Sequence, residues 1–319
     1  MDENNFKANQ PKGEIEEIED EVEKRFKLFK NFETTRYPPP DHHFINSKFS
    51  TKKFDFGSTF FDKNFDLRST LPIRINEEWK TMETSLPDTI FVRAYESRID
   101  LLRAVIVGPT NTPYSNGLFF FDILLPNSYP AQPPKLFYYS HGLDVNPSLY
   151  PNGKVCLNLL NTGDGHKEEK WNPRQSTILE VLVSVQGLIL NAEPYLNEPG
   201  CILYHKESLK YNKDVFMLTC VAMLYTLEMP PNNFEDFVVG HFRTQAHPIL
   251  MHCRSWRGIT GFPNQLFLNL TKAFKENGTY CEHHVNQVKN KDDEESKQKS
   301  DTHGFGTKIW NKLKNMLEL

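Results

Sequence analysis

The residue in this sequence with the clearest capacity for covalent chemistry is Cys156. A cysteine thiol becomes a nucleophile on ionisation and then attacks carbonyl carbons. Turn signals precede it at 146–147 and 152–153, and the largely apolar run 157–160 follows it. The spacing therefore predicts a thiol on a rigid irregular segment, outside any helix. Because an isolated cysteine is often only a small buried side chain, the surrounding elements must decide between the two interpretations.

Regular elements are predicted on both sides of this cysteine. Residues 177–191 are predicted to form a helix, because Thr177 stands three residues before Glu180 in a capping-box spacing and the following positions are mostly apolar. A helix that is apolar on nearly every side must be buried within a domain. Ahead of the cysteine, residues 101–107 and 118–125 have the composition of β-strands. The thiol is therefore predicted to lie between a sheet and a buried helix.

A series of short motifs runs through residues 73–205. In chain order they are Gly108-Pro109, Thr112-Pro113-Tyr114, Gly117, Phe119 to Phe121, Tyr129-Pro130, Pro133-Pro134, Asn146-Pro147, Gly153-Lys154-Val155-Cys156-Leu157, Trp171-Asn172-Pro173 and Asn197-Glu198-Pro199. Together they resemble the ubiquitin-conjugating enzyme family, in particular the large subgroup with N- and C-terminal extensions found among plant members. Several independent motifs in one order are hard to produce by chance, although they cover less than half of the chain.

The resemblance implies an α+β architecture, the UBC fold, in which a four-stranded antiparallel meander is flanked by helices. Residues 74–82 are predicted to form the first helix, since their apolar side chains stand four and three positions apart. The strands are predicted at 90–95, 101–107, 118–125 and 136–139. The resemblance also implies a cis bond between Tyr129 and Pro130.

Four regions follow from the resemblance together with the composition along the chain. They are an N-terminal extension at 1–70, partly disordered, a UBC core domain at 71–205, a helical extension at 206–288, and a charged linker with a terminal amphipathic helix at 289–319. In the first region, apolar residues at helical spacing predict a helix that packs on its own domain or docks a partner, followed by a largely disordered arm. In the α-helical C-terminal extension, helices are predicted at 211–227, 234–243, 246–256 and 265–275.

The activity implied by the resemblance is ubiquitin transfer. Cys156 would accept the C-terminus of ubiquitin from an activating enzyme as a thioester and pass it to a lysine of a protein substrate. One thioester replaces another in the first step, so no ATP site is expected, and the sequence has no Gly-x-x-x-x-Gly-Lys-Ser/Thr pattern. A catalytically inactive relative that binds ubiquitin or a partner is an alternative. A cysteine hydrolase of another family would need a histidine base, for which His141 and His166 are the nearby candidates.

The residues around the cysteine depart in part from the family's pattern. The family usually has His-Pro-Asn ahead of its cysteine, and the Asn donates to the oxyanion or orders a neighbouring loop. Here the three aligned residues are Asn146, Pro147 and Ser148, so that Ser148 stands where the family has Asn. Asn158 stands where the family often has Asp, and Glu198 best matches the acidic residue at the gate of the site. These four residues and Cys156 form the predicted catalytic set.

Partner surfaces are implied by the same resemblance. The first helix of the family contacts the activating enzyme, which makes Arg74 and Lys80 candidates for that surface. Candidates for contact with a ubiquitin ligase, in two loops, are Ala131, Gln132, Pro133, Pro173 and Arg174. At Ala131 and Arg174 the sequence lacks the residue types that commonly contact RING ligases. Ubiquitin, the activating enzyme, a ligase and a protein substrate are thus the expected partners.

Composition restricts the remaining possibilities. The net charge of −4 gives no electrostatic case for nucleic acid or an anionic membrane, and no apolar run has the length of a membrane span. The five cysteines are odd in number and lack a Cys-x-x-Cys, which favours reduced thiols and a cytoplasmic or nuclear location, with no signal peptide expected. Neither the group His247, His252 and Cys253 nor the group Cys281, His283 and His284 has the paired spacing of a zinc site, so no metal or other cofactor is expected.

Overall fold

The computed structural model of the protein describes residues 21–47, 70–163, 169–198, 205–260, 262–281 and 283–284. The chain divides into two compact units, Met1–Thr279 and Tyr280–Leu319. All the helices and strands below belong to the first unit. The predicted charged linker and terminal helix at 289–319 lie outside the described residues, as do residues 48–69 of the predicted arm.

The centre of the first unit is a five-stranded sheet in the order β1-β2-β3-β4-β5. Four of its strands are antiparallel neighbours, namely β2 (Ile90–Tyr95), β3 (Leu101–Val107), β4 (Leu118–Leu124) and β5 (Lys135–Tyr138). This part confirms the predicted meander within one residue at each strand boundary. The Tyr129–Pro130 bond, which follows β4, is cis as the resemblance implied.

The fifth strand comes from the N-terminal region and was not predicted. Helix α1 (Glu21–Lys27) leads into β1 (Phe32–Thr35), which pairs parallel with β2. Asn31 fixes the start of this strand, because its side-chain amide donates to the carbonyl groups of Pro87 at 3.1 Å and Ile90 at 3.0 Å. The sheet is therefore mixed, and residues 21–47 of the predicted extension are part of the folded unit.

Aromatic side chains from both extensions cover one end of the outer sheet face, the face that bears Phe91 and Phe120. Phe29 lies after α1, Phe234 directly precedes helix α5 (Glu235–Thr260), and Phe237 lies in the first turn of that helix. The ring centroids of Phe91 and Phe237 are 4.3 Å apart, those of Phe29 and Phe237 5.0 Å, and those of Phe120 and Phe234 5.4 Å. Aromatic pairs at these separations contribute beyond their buried area. The predicted N-terminal helix thus packs on its own domain, one of the two interpretations left open.

The other end of the same face carries a buried charged cluster. Arg103 on β3 donates to Asp122 on β4 with Nε to Oδ1 at 2.7 Å, and both side chains are fully buried. Residues of the N-terminal segment complete the cluster: Asp41 accepts from Arg103 at 3.0 Å, and the backbone N–H of His43 donates to Asp122 at 2.6 Å. The His43 ring also stacks on Phe137 of β5 at 3.5 Å. The N-terminal segment therefore covers this end of the sheet face, and the charged groups of Arg103 and Asp122 beneath it are hydrogen-bonded.

Two helices pack near the sheet and frame the cysteine region. Helix α2 (Thr70–Ser85) buries Ile75, Trp79 and Met82, the three residues whose spacing predicted it. Helix α3 (Ile178–Ser184) begins at the predicted cap, where Thr177 accepts a hydrogen bond from the Glu180 N–H, and continues as a π-helical turn at Val185–Ile189.

The expectation that the helix predicted at 177–191 is buried on nearly every side is wrong for two apolar positions. Val183 in α3 and Leu188 in the π-helical turn are 43% and 62% exposed, while Ile178, Val181 and Leu182 are buried. Apolar composition alone does not distinguish the sheet-facing side of a helix from a side left open to solvent or to a partner.

The C-terminal extension contains helices α4 (His205–Glu228), α5 (Glu235–Thr260) and α6 (Asn264–Glu276). Two separate helices were predicted across the range of α5, but the helix is continuous through Pro248. Packing outweighs the backbone hydrogen bond that the proline removes, because Ala246, Ile249, Leu250 and Cys253 are all buried. No helix among the described residues has the length and hydropathy to cross a membrane.

Candidate active site

Cys156 lies on an irregular segment that backbone hydrogen bonds hold rigidly. Its N–H donates to the carbonyl of Ser148 at 2.8 Å, and an isolated bridge joins Leu149 to Val155 just before it. The turn between these segments needs Gly153, whose φ is +86° and where a Cβ atom would lie 2.1 Å from the Phe137 ring. The thiol is half-buried at the end of this structure. It lies outside any helix, on an irregular segment, as the turn signals predicted.

Asn146 lies inside the domain beneath this segment. Its side-chain nitrogen donates to the Tyr114 hydroxyl at 2.7 Å and to the Ile189 carbonyl at 2.8 Å, and its side-chain oxygen accepts from the Ser148 N–H at 2.8 Å. The residue is fully buried and both amide hydrogens are committed. The geometry therefore favours a positioning role for Asn146 within the predicted catalytic set, because its amide has no hydrogen left to donate to an oxyanion.

Ser148, the last residue of the Asn-Pro-Ser motif, is half-buried. Its main chain is bonded on both sides, to Asn146 through its N–H and to Cys156 through its carbonyl. The motif thus combines a buried amide that fixes the loop with a half-buried serine whose main chain is bonded to the cysteine.

The segment that carries Glu198 is anchored to the same buried amide. Asn197 donates to the Asn146 side-chain oxygen at 3.3 Å and to the Ile189 carbonyl at 3.1 Å, and it accepts from Asn191 at 2.9 Å. Glu198 follows directly and is exposed. Asn197 was noted from sequence only as the neighbour of Glu198. The sequence signal for a structural role of Asn197 was Asn191, six positions before it, since Asn side chains commonly bond to nearby backbone and to one another. The bond to Asn146 joins residues far apart in the sequence.

Asn158 lies on the other side of the thiol, in the 3₁₀ turn Asn158–Leu160. Its side-chain nitrogen donates to Glu169 at 2.6 Å. Glu169 belongs to the long loop before Trp171, so this bond brings a carboxylate close to the position where the family often has Asp. A cavity of about 560 Å³ opens here, between Leu157 to Leu159, the loop at Glu169 and Lys170, and the helical segment that carries Glu180 in α3 and Leu188 in the π-helical turn.

The predicted ligase-binding loops are held together from inside. The indole N–H of Trp171 donates to the Pro130 carbonyl at 2.6 Å. The buried carboxylate of Glu78 on α2 accepts from the Tyr129 hydroxyl at 2.6 Å and from the Ile178 N–H at 2.9 Å. On the outside of these loops, Ala131, Gln132, Pro173 and Arg174 are exposed and Pro133 is half-buried.

The two residues predicted to contact the activating enzyme differ in environment. Lys80 is exposed, whereas the Arg74 side chain is only 23% exposed and lies 3.0 Å from the Glu78 carboxylate. Arg74 also donates to the Ser176 carbonyl at 3.0 Å. Its guanidinium group therefore joins α2 to the start of α3, a structural task that its position in the sequence did not reveal.

The hydrolase alternative finds no support in the described part of the site. The group within hydrogen-bonding distance of the Cys156 thiol is the carbonyl of Thr162 at 3.1 Å. The ring of His141 stacks on Tyr225 of α4, and burial lowers the pKa of His141. The other candidate base, His166, lies outside the described residues.

An α+β domain with a half-buried cysteine between a meander sheet and a helix defines the class to which this molecule belongs. Residues 74–218 match the family model described as ubiquitin-conjugating enzyme. The probable ubiquitin-conjugating enzyme E2 25 of Arabidopsis thaliana is 49% identical over 220 residues, which cover 65% of this chain and 36% of that protein.

Two further relatives extend the comparison. The putative ubiquitin-conjugating enzyme E2 38 of Arabidopsis thaliana is 41% identical over 249 residues, 76% of this chain and 71% of that protein. The human dual E2 ubiquitin-conjugating enzyme/E3 ubiquitin-protein ligase BIRC6 is 41% identical over 200 residues, 57% of this chain and 4% of that protein. The chain therefore belongs to the ubiquitin-conjugating enzyme family.

Proposed function

We propose that this protein accepts ubiquitin on Cys156 as a thioester and transfers it to a lysine of a protein substrate. The observation that carries the proposal is the thiol itself, half-buried on a segment that the Cys156–Ser148 backbone bond and Gly153 hold in place. A nucleophile held in this way needs little reorganisation before it reacts.

In the charging step, the Cys156 sulfur attacks the thioester carbonyl carbon of ubiquitin on the activating enzyme. A carbon–sulfur bond to Cys156 forms, the bond to the activating enzyme's cysteine breaks, and that cysteine leaves as the thiol. One thioester replaces another, so the step requires no ATP at this site. We expect no cofactor for the same reason.

In the transfer step, the neutral amine of the acceptor lysine attacks the same carbonyl carbon. Negative charge develops on the carbonyl oxygen, which hydrogen-bond donors stabilise, and Cys156 leaves as the bond to nitrogen forms. The Ser148 hydroxyl is the proposed donor. Glu198, held through Asn197 and Asn146, and the Asn158–Glu169 pair supply the polar surroundings through which the amine approaches.

The partners follow from this chemistry: ubiquitin, its activating enzyme, a protein substrate and a ubiquitin ligase. For the activating enzyme, the exposed Lys80 is the stronger of the two candidates on α2, because Arg74 is engaged within the domain. For a ligase, the two exposed loops around Gln132 and Arg174 form the proposed surface. A cytoplasmic or nuclear location would provide all of these partners.

Incubation with activating enzyme, ATP and ubiquitin, followed by a non-reducing gel, tests the proposal. We expect a ubiquitin adduct that a thiol reductant removes. Cys156→Ser should leave at most a slower adduct that resists the reductant, because an ester replaces the thioester. Ser replacements at Cys201, Cys220, Cys253 and Cys281 are the matched controls and should still be charged when folded.

Two outcomes would reject the assignment. Reducible charging that survives Cys156→Ala would place the nucleophile elsewhere. Absence of any adduct in the folded wild-type protein, together with binding of ubiquitin or another partner, would favour the inactive alternative.

A further inference from the structure

The turn that follows Cys156 folds back onto the cysteine. The 3₁₀ segment Asn158–Leu160 ends at Asn161, which has a left-handed φ of +57° and whose side chain accepts from the Trp171 N–H at 3.4 Å. The turn ends at Gly163, where there is no room for a side chain, because a Cβ atom would lie 2.1 Å from the Asn158 side-chain oxygen. The reversal brings Thr162 beside the residues that flank the thiol.

The Thr162 hydroxyl joins the peptide groups on both sides of Cys156. It accepts from the Leu157 N–H at 3.0 Å and lies 3.1 Å from the Val155 carbonyl and 3.2 Å from the Leu157 carbonyl. Val155 and Leu157 are the immediate chain neighbours of the cysteine. One hydroxyl therefore fixes the main chain directly before and directly after the nucleophile.

The Thr162 carbonyl acts on the thiol itself. The Cys156 S–H donates to this oxygen, with sulfur and oxygen 3.1 Å apart. A carbonyl oxygen accepts a hydrogen bond from a thiol. The same contact also fixes the direction of the sulfur.

We propose that Thr162 is a positioning residue for Cys156, whose hydroxyl fixes the cysteine's main chain and whose carbonyl fixes the direction of the resting thiol. The inference rests on the proposed function for its consequence in catalysis, although its effect on thiol reactivity stands apart from it. On charging, the thiol gives up this hydrogen bond as the carbon–sulfur bond to ubiquitin forms and the proton passes to the leaving cysteine thiol of the activating enzyme.

The test compares full-length wild-type protein with Thr162→Val and Thr162→Ser. Valine keeps the shape of threonine and removes the hydroxyl, whereas serine keeps the hydroxyl. Thr84→Val is the matched control, because Thr84 is exposed and its hydroxyl bonds to other residues of α2. Thermal melting establishes that each variant is folded.

The first measurement is the rate of Cys156 alkylation by iodoacetamide at one fixed pH, followed by mass spectrometry of the Cys156 peptide. Thr162→Val should raise this rate at least about threefold, because loss of the hydroxyl frees the segment that holds the sulfur against the Thr162 carbonyl and makes the thiol more accessible. Thr162→Ser and Thr84→Val should match the wild type.

The second measurement is the rate of thioester formation on the same variants. Thr162→Val should charge roughly tenfold more slowly, since the freed segment samples misaligned positions of the sulfur, and Thr162→Ser should restore the rate. The alkylation and charging rates would then move in opposite directions.

Equal alkylation rates in wild type and Thr162→Val, or a serine variant that behaves like valine, would overturn the inference. If the wild-type protein forms no thioester at all, the proposed function fails, but the alkylation rates still decide the role of Thr162.

Discussion

At the scale of single residues, Ser148 is the departure from the family's pattern with the largest chemical consequence. Its hydroxyl can give one hydrogen bond to the developing oxyanion, but serine is shorter than asparagine and lacks the planar amide. The loop that carries it is fixed by Asn146 and by the backbone of Cys156, so the side chain at 148 can change without moving the thiol.

We therefore expect Ser148→Asn to speed the discharge of ubiquitin to free lysine and Ser148→Ala to slow it. Loss of a single oxyanion donor typically costs on the order of 100-fold to 1,000-fold in rate, and a bridging water would recover part of this. Single-turnover discharge after removal of the activating enzyme measures the effect.

Charging is the internal control for these variants, because groups on the activating enzyme assist that step. We expect charging to change little in either variant. Equal discharge rates for serine, asparagine and alanine would show that position 148 donates nothing and that the donor lies elsewhere, for example at Asn158.

The amides near the site show how far single residues can be interpreted from sequence. Asn146 and Glu198 were placed in the site by their motifs, and the structure links both to one segment through Asn197. Sequence could not show that Asn146 points inward. That orientation depends on Tyr114 and Ile189, which are 32 and 43 positions away along the chain.

At the scale of elements, the pair Arg103 and Asp122 joins β3 to β4 on the outer sheet face. Both side chains are fully buried, and the Asp122 carboxylate also accepts from the Tyr139 hydroxyl at 2.7 Å. We expect Asp122→Ala to lower the free energy of unfolding by about 3–5 kcal/mol, because it leaves a buried guanidinium without its main partner. Urea denaturation measures the change.

The matched control is Glu276→Ala on α6. Its partner Lys272 is four residues away at 3.8 Å, and the two side chains are 76% and 67% exposed. Removal of an exposed pair should change the free energy of unfolding by less than about 1 kcal/mol. Comparable losses for the two variants would contradict the claim that burial, and not pairing alone, determines the cost.

The four strands of the meander could be predicted because their runs of β-branched and aromatic residues are bounded by turn residues. Strand β1 could not, since Phe32–Thr35 is short and its partner β2 lies some sixty positions away. The outer-face cluster was missed for a related reason. Arg103 and Asp122 suggest a solvated face, yet all seven residues of β4 are buried, which requires cover on both faces.

At the scale of the whole molecule, the segments outside the matched domain complete its fold. Helix α1 approaches α5 so closely that a Cβ atom at Gly240 would lie 2.3 Å from Phe26. The segment at 39–47 and the start of α5 together remove the outer sheet face from solvent. Truncations designed from the family's boundaries would therefore expose Phe91, Phe120 and the Arg103–Asp122 pair.

Burial of histidines in these contacts gives the molecule a predictable response to acid. His241 on α5 lies among Phe26, Phe237 and Phe242, and its Nε2 is 2.9 Å from the Asn116 carbonyl. Burial lowers the pKa of His241 from 6.5 to about 4. Burial also lowers the pKa of His42, His141 and His252.

The sign of the effect follows from proton uptake. Between pH 6.5 and about 4 the unfolded chain binds a proton at residue 241 that the folded protein does not bind, so stability is present above this range and is lost as pH falls through it. The loss from this one residue should be about 1.4 kcal/mol for each pH unit. The free energy of unfolding, measured by urea denaturation across this range, reports it.

His241→Gln isolates this contribution from those of the other histidines. Glutamine can still donate to the Asn116 carbonyl but does not titrate. The variant therefore loses the ring contacts at every pH. It also loses the proton linkage of residue 241, while the other histidines keep theirs. Its stability should therefore be lower at neutral pH and should fall less steeply on acidification, so that the two curves converge toward acid pH. Parallel curves would mean that His241 binds its proton equally in the folded and unfolded states, and that the contact between α5 and the loop at Asn116 does not exclude charge.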